Sequence, residues 1–159
     1  MADPTWTSPV ALAALAAFAS AVAAGAAAYN AFQQRRQAEE KLKLDLFDRR
    51  YRIYEATVRY IAHAIREANL SDEALRDLDR GSASIEFLFD KDVRDYVKSV
   101  RNRGIDLMTA HKLMEPLPIS EERSKQASVI RDACIWFFDQ LAHSEIVFAP
   151  SLKFQAPTA

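Results

Sequence analysis

The chain has 159 residues, half of them hydrophobic, with 21 basic and 22 acidic side chains and a formal net charge of -1. This length allows one ordinary domain or a small domain with an appendage, and the near-neutral charge excludes an overall basic surface made for nucleic acid. A single cysteine, Cys134, excludes an internal disulfide framework and a zinc site built from thiolates.

Between Pro4 and Gln34 there is no Asp, Glu, Lys, Arg or His. Val10 to Tyr29 alone supplies the roughly 20 apolar residues needed to cross a hydrocarbon core of about 30 Å. Val10, Leu12, Leu15, Phe18 and Val22 each favour insertion by about 0.3–0.6 kcal/mol, and the intervening alanines contribute little. A secretory signal would carry its positive charge before the apolar run. Here Asp3 precedes it, and Arg35 and Arg36 follow, so an uncleaved anchor fits better than a signal peptide or a soluble alanine-rich helix. Arg35, Arg36, Lys41 and Lys43 all lie after the run and no Lys or Arg precedes it, which predicts an outside N-terminus and a cytosolic C-terminus in the inner membrane. Trp6 and Tyr29 bracket the segment as interfacial side chains do, and Pro9 occupies a permissible first-turn position. The predicted order is a short extracytoplasmic N-terminus (1–9), a transmembrane helix (10–32) and a polar juxtamembrane helix (33–43). A cytosolic helical bundle (44–154) and a flexible tail (155–159) follow.

No Pro or Gly interrupts "QQRRQAEEKLKLDLFDRRYRIYEATVRYIAHAIREANL", so the membrane helix is free to continue to about Leu70, roughly 90 Å at 1.5 Å per residue. Its first part is polar all round, with Arg36/Glu40 and Glu39/Lys43 at i,i+4. Leu44, Phe47, Tyr51, Tyr54, Val58, Ile61 and Ile65 then recur at spacings of three and four. A second row, Leu46, Ile53, Thr57, Tyr60 and Ala64, widens the apolar arc beyond a two-stranded seam, so this helix requires several neighbours. In having an anchor before a long charged helix the chain also resembles the stalk subunit b of ATP synthase and phage spanins, but neither needs so many aromatic residues or the breakers that follow, and a spanin would face the other way.

Ser71 is the predicted N-cap of a second helix, with Asp72 and Glu73 in its first turn and Leu75 and Leu78 facing inward. Gly81 to Ser84 weakens the pattern, leaving "IEFLF" (85–89) open between a continuation, a short helix and an ordered turn. Asp90 caps a further helix whose Val93, Val97, Val100, Leu107, His111 and Met114 share one face, with Gly104 at the missing step; Pro116 and Pro118 end it. Ser120 opens the last helix, with the stripe Ala127, Ile130, Cys134, Phe137 and Leu141. Ile135, Trp136 and Phe138 cover its other sides, which predicts a central position. Val147, Phe148, Leu152 and Phe154 are expected to lie across the bundle as a tail. The fold class is therefore all-α: a transmembrane helix continuing into a bundle of about four helices.

The segments "LDLFDRRYRIYEA" (44–56), "FLFDKDVRDYV" (87–97), "WFFDQL" (136–141) and "FAPSLKF" (148–154) together resemble a group of uncharacterised bacterial proteins with one N-terminal span and a helical cytosolic part. The resemblance implies that architecture over most of residues 44–154 and brings no activity. In that group tyrosine is common at the position of Ser151, which implies a different docking of the tail here.

Chemistry is sparsely signalled. His63, His111 and His143 sit on three helices, but bundle metal sites use Glu-x-x-His, and the residues three before these histidines are Tyr60, Met108 and Gln140. Cys134 lies on a packing stripe, where it serves as a small hydrophobe. No Gly-rich phosphate loop, nucleophile elbow or cysteine-histidine metal spacing occurs, so no catalytic residue, cofactor or metal is assigned and an enzyme is the minority reading. Charge says more. Arg49, Arg52, Arg59, His63 and Arg66 line up opposite the apolar arc, and Arg94, Lys98 and Arg101 repeat the theme. Such rows could hold an acidic partner, nucleic acid or anionic headgroups, but Asp45, Asp48 and Glu55 dilute the field, and the reading they favour is an ordinary solvated face. Arg35, Arg36, Lys41 and Lys43 beside the span suit anionic lipid at about 1 kcal/mol each. Ala17, Ala21, Gly25 and Ala28 form a small-residue face suited to close packing with a second copy's span or a partner's. The expected role is a membrane-anchored interaction or scaffold module. A tethered ligand sensor or enzyme with a pocket near His111 is the alternative.

Overall fold

A computed structural model describes the backbone of residues 9–153 and the side chains of residues 13–153. Trp6 and Phe154, and with them the expected interfacial tryptophan and the end of the apolar tail, lie outside the described residues. So do residues 1–8 and the tail 155–159. Among the described residues every regular element is helical: α1 (Pro9–Glu67), α2 (Asp72–Gly81), the single turn α3 (Ile85–Leu88), α4 (Lys91–Met114) and α5 (Glu121–Leu152). Contacts divide the chain into two units, Met1–Asp45 and Leu46–Ala159.

In the first unit α1 is a lone helix. Leu15, Phe18, Val22, Tyr29 and Phe32 are all exposed, and nothing lies within 4 Å of a side chain built on Gly25. The helix is long and apolar enough to cross a membrane by length and composition. Of the two ion pairs expected after the apolar run, Arg36–Glu40 forms at 3.4 Å and Glu39–Lys43 does not.

In the second unit the remainder of α1 meets all the other helices in one core. Both of its apolar rows contribute, but the row with the smaller side chains is central. Ile53, Thr57, Tyr60, Ile61 and Ala64 are buried, whereas Leu44 and Tyr51 of the first row stay exposed and Phe47 is half-buried against Tyr51. Small residues mark where helices approach most closely. A Cβ on Gly81, at the end of α2, would lie 2.6 Å from Ala56 Cβ, and one on Gly104 of α4 would overlap the Tyr60 hydroxyl. Thr57 stays satisfied in this apolar surround by donating its hydroxyl to the Ile53 carbonyl at 2.8 Å.

Helix α1 ends at Glu67, three residues short of the expected limit, because Ala68 turns left-handed at φ 48. The His111 ring contacts the Ala68 carbonyl through Nε2 at 2.7 Å, and the turn sends Leu70 into the core. Ser71 then caps α2 as expected, accepting from the Ala74 N–H at 3.1 Å. The open segment 85–89 resolves into the single turn α3, which buries Phe89 and leaves Phe87 exposed. Asp90 occupies the N-cap position of α4 but makes no side-chain capping bond. Val93, Val97, Val100, Gly104 and Leu107 are buried along the expected face of α4, joined by Tyr96, Met108 and Ala110; His111 and Met114, at its end, are half-buried. Ser120 caps α5, accepting from the Arg123 N–H at 3.3 Å.

Two expectations for α5 fail. Its inward stripe is Ala133, Phe137, Ser144 and Phe148, with Ile130 and Cys134 half-buried, while Ala127 and Leu141 are exposed. Ile135 and Phe138 are exposed too, so α5 is packed on one side and does not sit centrally. Nor do Val147, Phe148 and Leu152 form a separate tail: they are the last turns of α5, which passes through Pro150. A proline inside a helix removes one hydrogen bond. The offset is Phe148, fully buried and in edge contact with Tyr54, Phe89 and Tyr96 at ring separations of 5.3, 5.3 and 6.2 Å. The pairs Tyr54–Phe148 and Tyr60–Phe137 show that α5 runs antiparallel to this part of α1.

Candidate functional site

The two rows of cations singled out from the sequence are separated by the fold. On α1, Arg49 and Arg52 are exposed and make no ion pair among the described residues. Arg59 pairs with Glu55 at 2.9 Å, and Arg66 pairs with Glu67 at 2.9 Å while touching His63 Nδ1 at 3.3 Å. The Arg66 guanidinium lowers the Glu67 carboxyl below its usual range.

On α4 the expected partner surface is largely turned to internal use. Arg101 grips Asp79 of α2 through two hydrogen bonds, 2.6 and 3.0 Å, which is the planar fork that suits a carboxylate. That bond raises the Arg101 guanidinium further above its ordinary value. Arg94 pairs with Glu86 of α3. Lys98 makes no ion pair among the described residues. These cations therefore hold the short helices α2 and α3 onto α4, leaving Arg49, Arg52 and Lys98 uncommitted.

Two cavities accompany the rows. One, of about 180 Å³, lies between α1 and α2; Ala56, Tyr60 and Leu78 contribute apolar surface, and Arg59, His63, Glu73 and Asp77 contribute charged or polar groups. The other, more open and about 380 Å³, is lined by Ser82, Ile85 and Glu86 from the α2–α3 region and by Lys91, Arg94, Asp95, Lys98 and Arg101 from α4. His111 lines neither. Its ring is engaged by the Ala68 carbonyl, and His143 lies against Tyr96 with ring centroids 5.6 Å apart. Among the described residues no group of three His, Cys, Asp or Glu side chains is placed to hold a metal ion. Burial raises the Cys134 thiol above its usual value, opposite to the shift that activates a nucleophile.

The arginine that sequence reasoning missed is Arg50. It donates from Nε to the Leu88 carbonyl and from Nη1 to the Ser151 carbonyl, both at 3.1 Å, and lies 5.9 Å from the Phe89 ring centroid. The fork thus ties α1 to the ends of α3 and α5. The available signal was phase: Arg50 falls three residues before Ile53, on the edge of the buried stripe, whereas its neighbour Arg49 is exposed. Near α4, the Tyr60 hydroxyl is buried with no hydrogen-bond partner, and burial pushes the phenol up to about 12, with Arg101 pulling the other way. Tyr96 is likewise pushed up to about 12 by burial and then by Tyr54, and its hydroxyl donates to the Gln140 carbonyl at 3.2 Å.

No protein-family model, curated protein or solved structure matches the chain.

Proposed function

We propose that this chain is a membrane-anchored interaction module: one span in the inner membrane, an outside N-terminus, and a cytosolic helical bundle that binds a protein partner. The observation that carries the reading is α1 itself. Its first part is apolar and bare on every side, and without a break the same helix becomes a wall of a packed core. Arg35, Arg36, Lys41 and Lys43, just beyond the apolar run, set the orientation and meet anionic headgroups, at about 1 kcal/mol each. Of the two rows, Arg49, Arg52 and Lys98 make no ion pair among the described residues and are the cations proposed to recognise an acidic partner. Ala17, Ala21, Gly25 and Ala28 supply a face for close packing between spans.

A reporter fused after Ala159 is expected to be active only in its cytosolic form; activity of a periplasmic reporter there overturns the orientation. For the interaction, photo-cross-linking in cells from positions flanking Arg49 and Arg52 is expected to trap discrete protein adducts that vanish in Arg49→Glu/Arg52→Glu. Adducts unchanged by that double substitution would remove the basic row from the reading. The ligand-sensor alternative rests on the cavity at Tyr60 and His63 rather than on His111.

A further inference from the structure

The cavity between α1 and α2 has walls of opposite charge that do not meet. The turn at Ala68 joins the two helices at one end, and at the other Gly81 comes so near that an added Cβ would lie 2.6 Å from Ala56 Cβ, so α2 runs back along α1. This register brings Asp77 level with Arg59 and Glu73 level with His63, and all four line the cavity. Yet among the described residues their contacts stay on their own helices: Arg59 pairs with Glu55 at 2.9 Å, His63 touches Arg66, Asp77 pairs with Arg80 at 3.0 Å, and Glu73 has no ion pair. Closure of the gap is opposed from the far side of α2, where Arg101 grips Asp79 and Lys112 lies 3.6 Å from Asp72, both cations belonging to α4. The fold thus holds opposed charges apart over a floor that includes the buried Tyr60 and Leu78. We infer that this cavity binds a small aliphatic zwitterion, the chemical class of free amino acids.

Charge singles out this class. The ligand's ammonium meets the carboxylates of α2: Glu73 is unpaired, and Asp77 uses only Oδ1 in its pair with Arg80. Its carboxylate meets α1, where Glu55 occupies only Nη2 of Arg59 and the other guanidinium N–H groups remain to donate, beside the His63 ring. A simple anion is repelled by the acids of α2 and a simple cation by Arg59, and among the described residues no three side chains are placed to hold a metal. The aliphatic body lies on the apolar floor, as in small-molecule sites that pair apolar lining with a few polar groups. The volume, about 180 Å³, limits the ligand to a small molecule. Exposed charges contribute little singly, so affinity depends on both walls engaging one ligand, and a Kd in about the millimolar range is expected. This assigns a ligand class to the sensor alternative and stands whether or not the chain is anchored, since every residue involved belongs to the second unit.

The test follows the histidine ring signals of the full chain, isotope-labelled at histidine and held in detergent, with His63 assigned through His63→Gln. L-Leucine and γ-aminobutyrate are the zwitterionic probes; isopentylamine and isocaproate keep the aliphatic body of leucine with one charge each. At least one zwitterion is expected to shift the His63 signal saturably while His111 and His143 stay still, and the amine and the acid are expected to bind about tenfold more weakly or not at all. Glu73→Gln and Arg59→Gln, both at exposed positions, are each expected to melt like the parent and to weaken binding about tenfold. Glu122→Gln, an exposed acid of α5, should bind like the parent. The inference is overturned if neither zwitterion shifts His63, if the amine or the acid binds as well as leucine, if all three histidines shift together, or if the Glu73 and Arg59 variants bind like the parent. Each of these outcomes leaves the interaction reading to the cross-linking at Arg49 and Arg52, which does not involve this cavity.

Discussion

Gly104→Ala tests the tightest contact in the core. The added Cβ would overlap the Tyr60 hydroxyl and lie 2.7 Å from both Tyr60 Cζ and Leu70 Cδ1. None of these atoms can retreat cheaply, since Tyr60 is 3% and Leu70 5% exposed. Overpacking of this kind costs about 1–3 kcal/mol, while alanine gains about 1 kcal/mol over glycine as a helix former. The net expectation is a loss of up to about 2 kcal/mol, or roughly 5–10 °C in Tm. Tyr60→Phe removes the overlapping oxygen, which has no hydrogen-bond partner, and so is expected to stabilise the parent by about 1 kcal/mol. Combined with Gly104→Ala it should recover most of the loss, the remainder coming from Cζ and Leu70. The assay is denaturation of the full chain in detergent, in a Trp6→Phe background, followed by the fluorescence of Trp136, whose ring lies 5.2 Å from that of Phe137. The packing argument is refuted if Gly104→Ala melts at or above the parent, or if the two substitutions are additive with no coupling.

A fragment starting at residue 42 should be soluble and melt cooperatively; Phe137→Asp should abolish that melt, because Phe137 is fully buried, whereas Phe47→Asp, at a half-buried position, should only lower its midpoint. Ala68→Gly should raise stability by about 1 kcal/mol in chemical denaturation, since Ala68 holds a left-handed conformation that glycine adopts without strain. Alkaline titration should unfold the second unit. The Tyr60 and Tyr96 phenols have folded pKa values of about 12 against 10.0 unfolded, so their contribution is intact below pH 10 and is lost as pH rises through 10 to 12. Each is worth about 2–3 kcal/mol, and Tyr96→Phe should blunt the effect, as followed by circular dichroism against pH.

The starts of α2 and α5 and the course of α4 were legible in the sequence because local chemistry sets them: Ser71 and Ser120 cap, two prolines follow α4, and the valines of α4 repeat on one face. The phase of α1 was harder. Hydrophobicity ranks Tyr51 and Leu44 above Thr57 and Ala64, yet the closest helix approaches favour small side chains, and only the partner's shape, such as Gly104 facing Tyr60, reveals which row they choose. The same ambiguity made α5 look central, since residues 133–138 are apolar in every direction and composition alone does not say which side a neighbour occupies. The candidate site was legible as residue types but not as roles. Arg94 and Arg101 read as a free surface until Glu86 and Asp79 arrive from other helices, and the phase of Arg50 places it at the edge of the buried stripe but does not reveal the carbonyls it binds.

The Arg50 fork also sets a clock. Its acceptor on Ser151 lies 101 residues further along the chain, and Phe148, against which Tyr54 packs, is nearly as distant. At about 5–20 residues per second, synthesis reaches these partners roughly 5–20 s after Arg50 itself is made. Throughout that interval Ile53, Tyr60 and Ile61 have no completed core to enter. The apolar run before Arg35 has been made well before then, so the N-terminal part of α1 is complete before the core of the second unit can close.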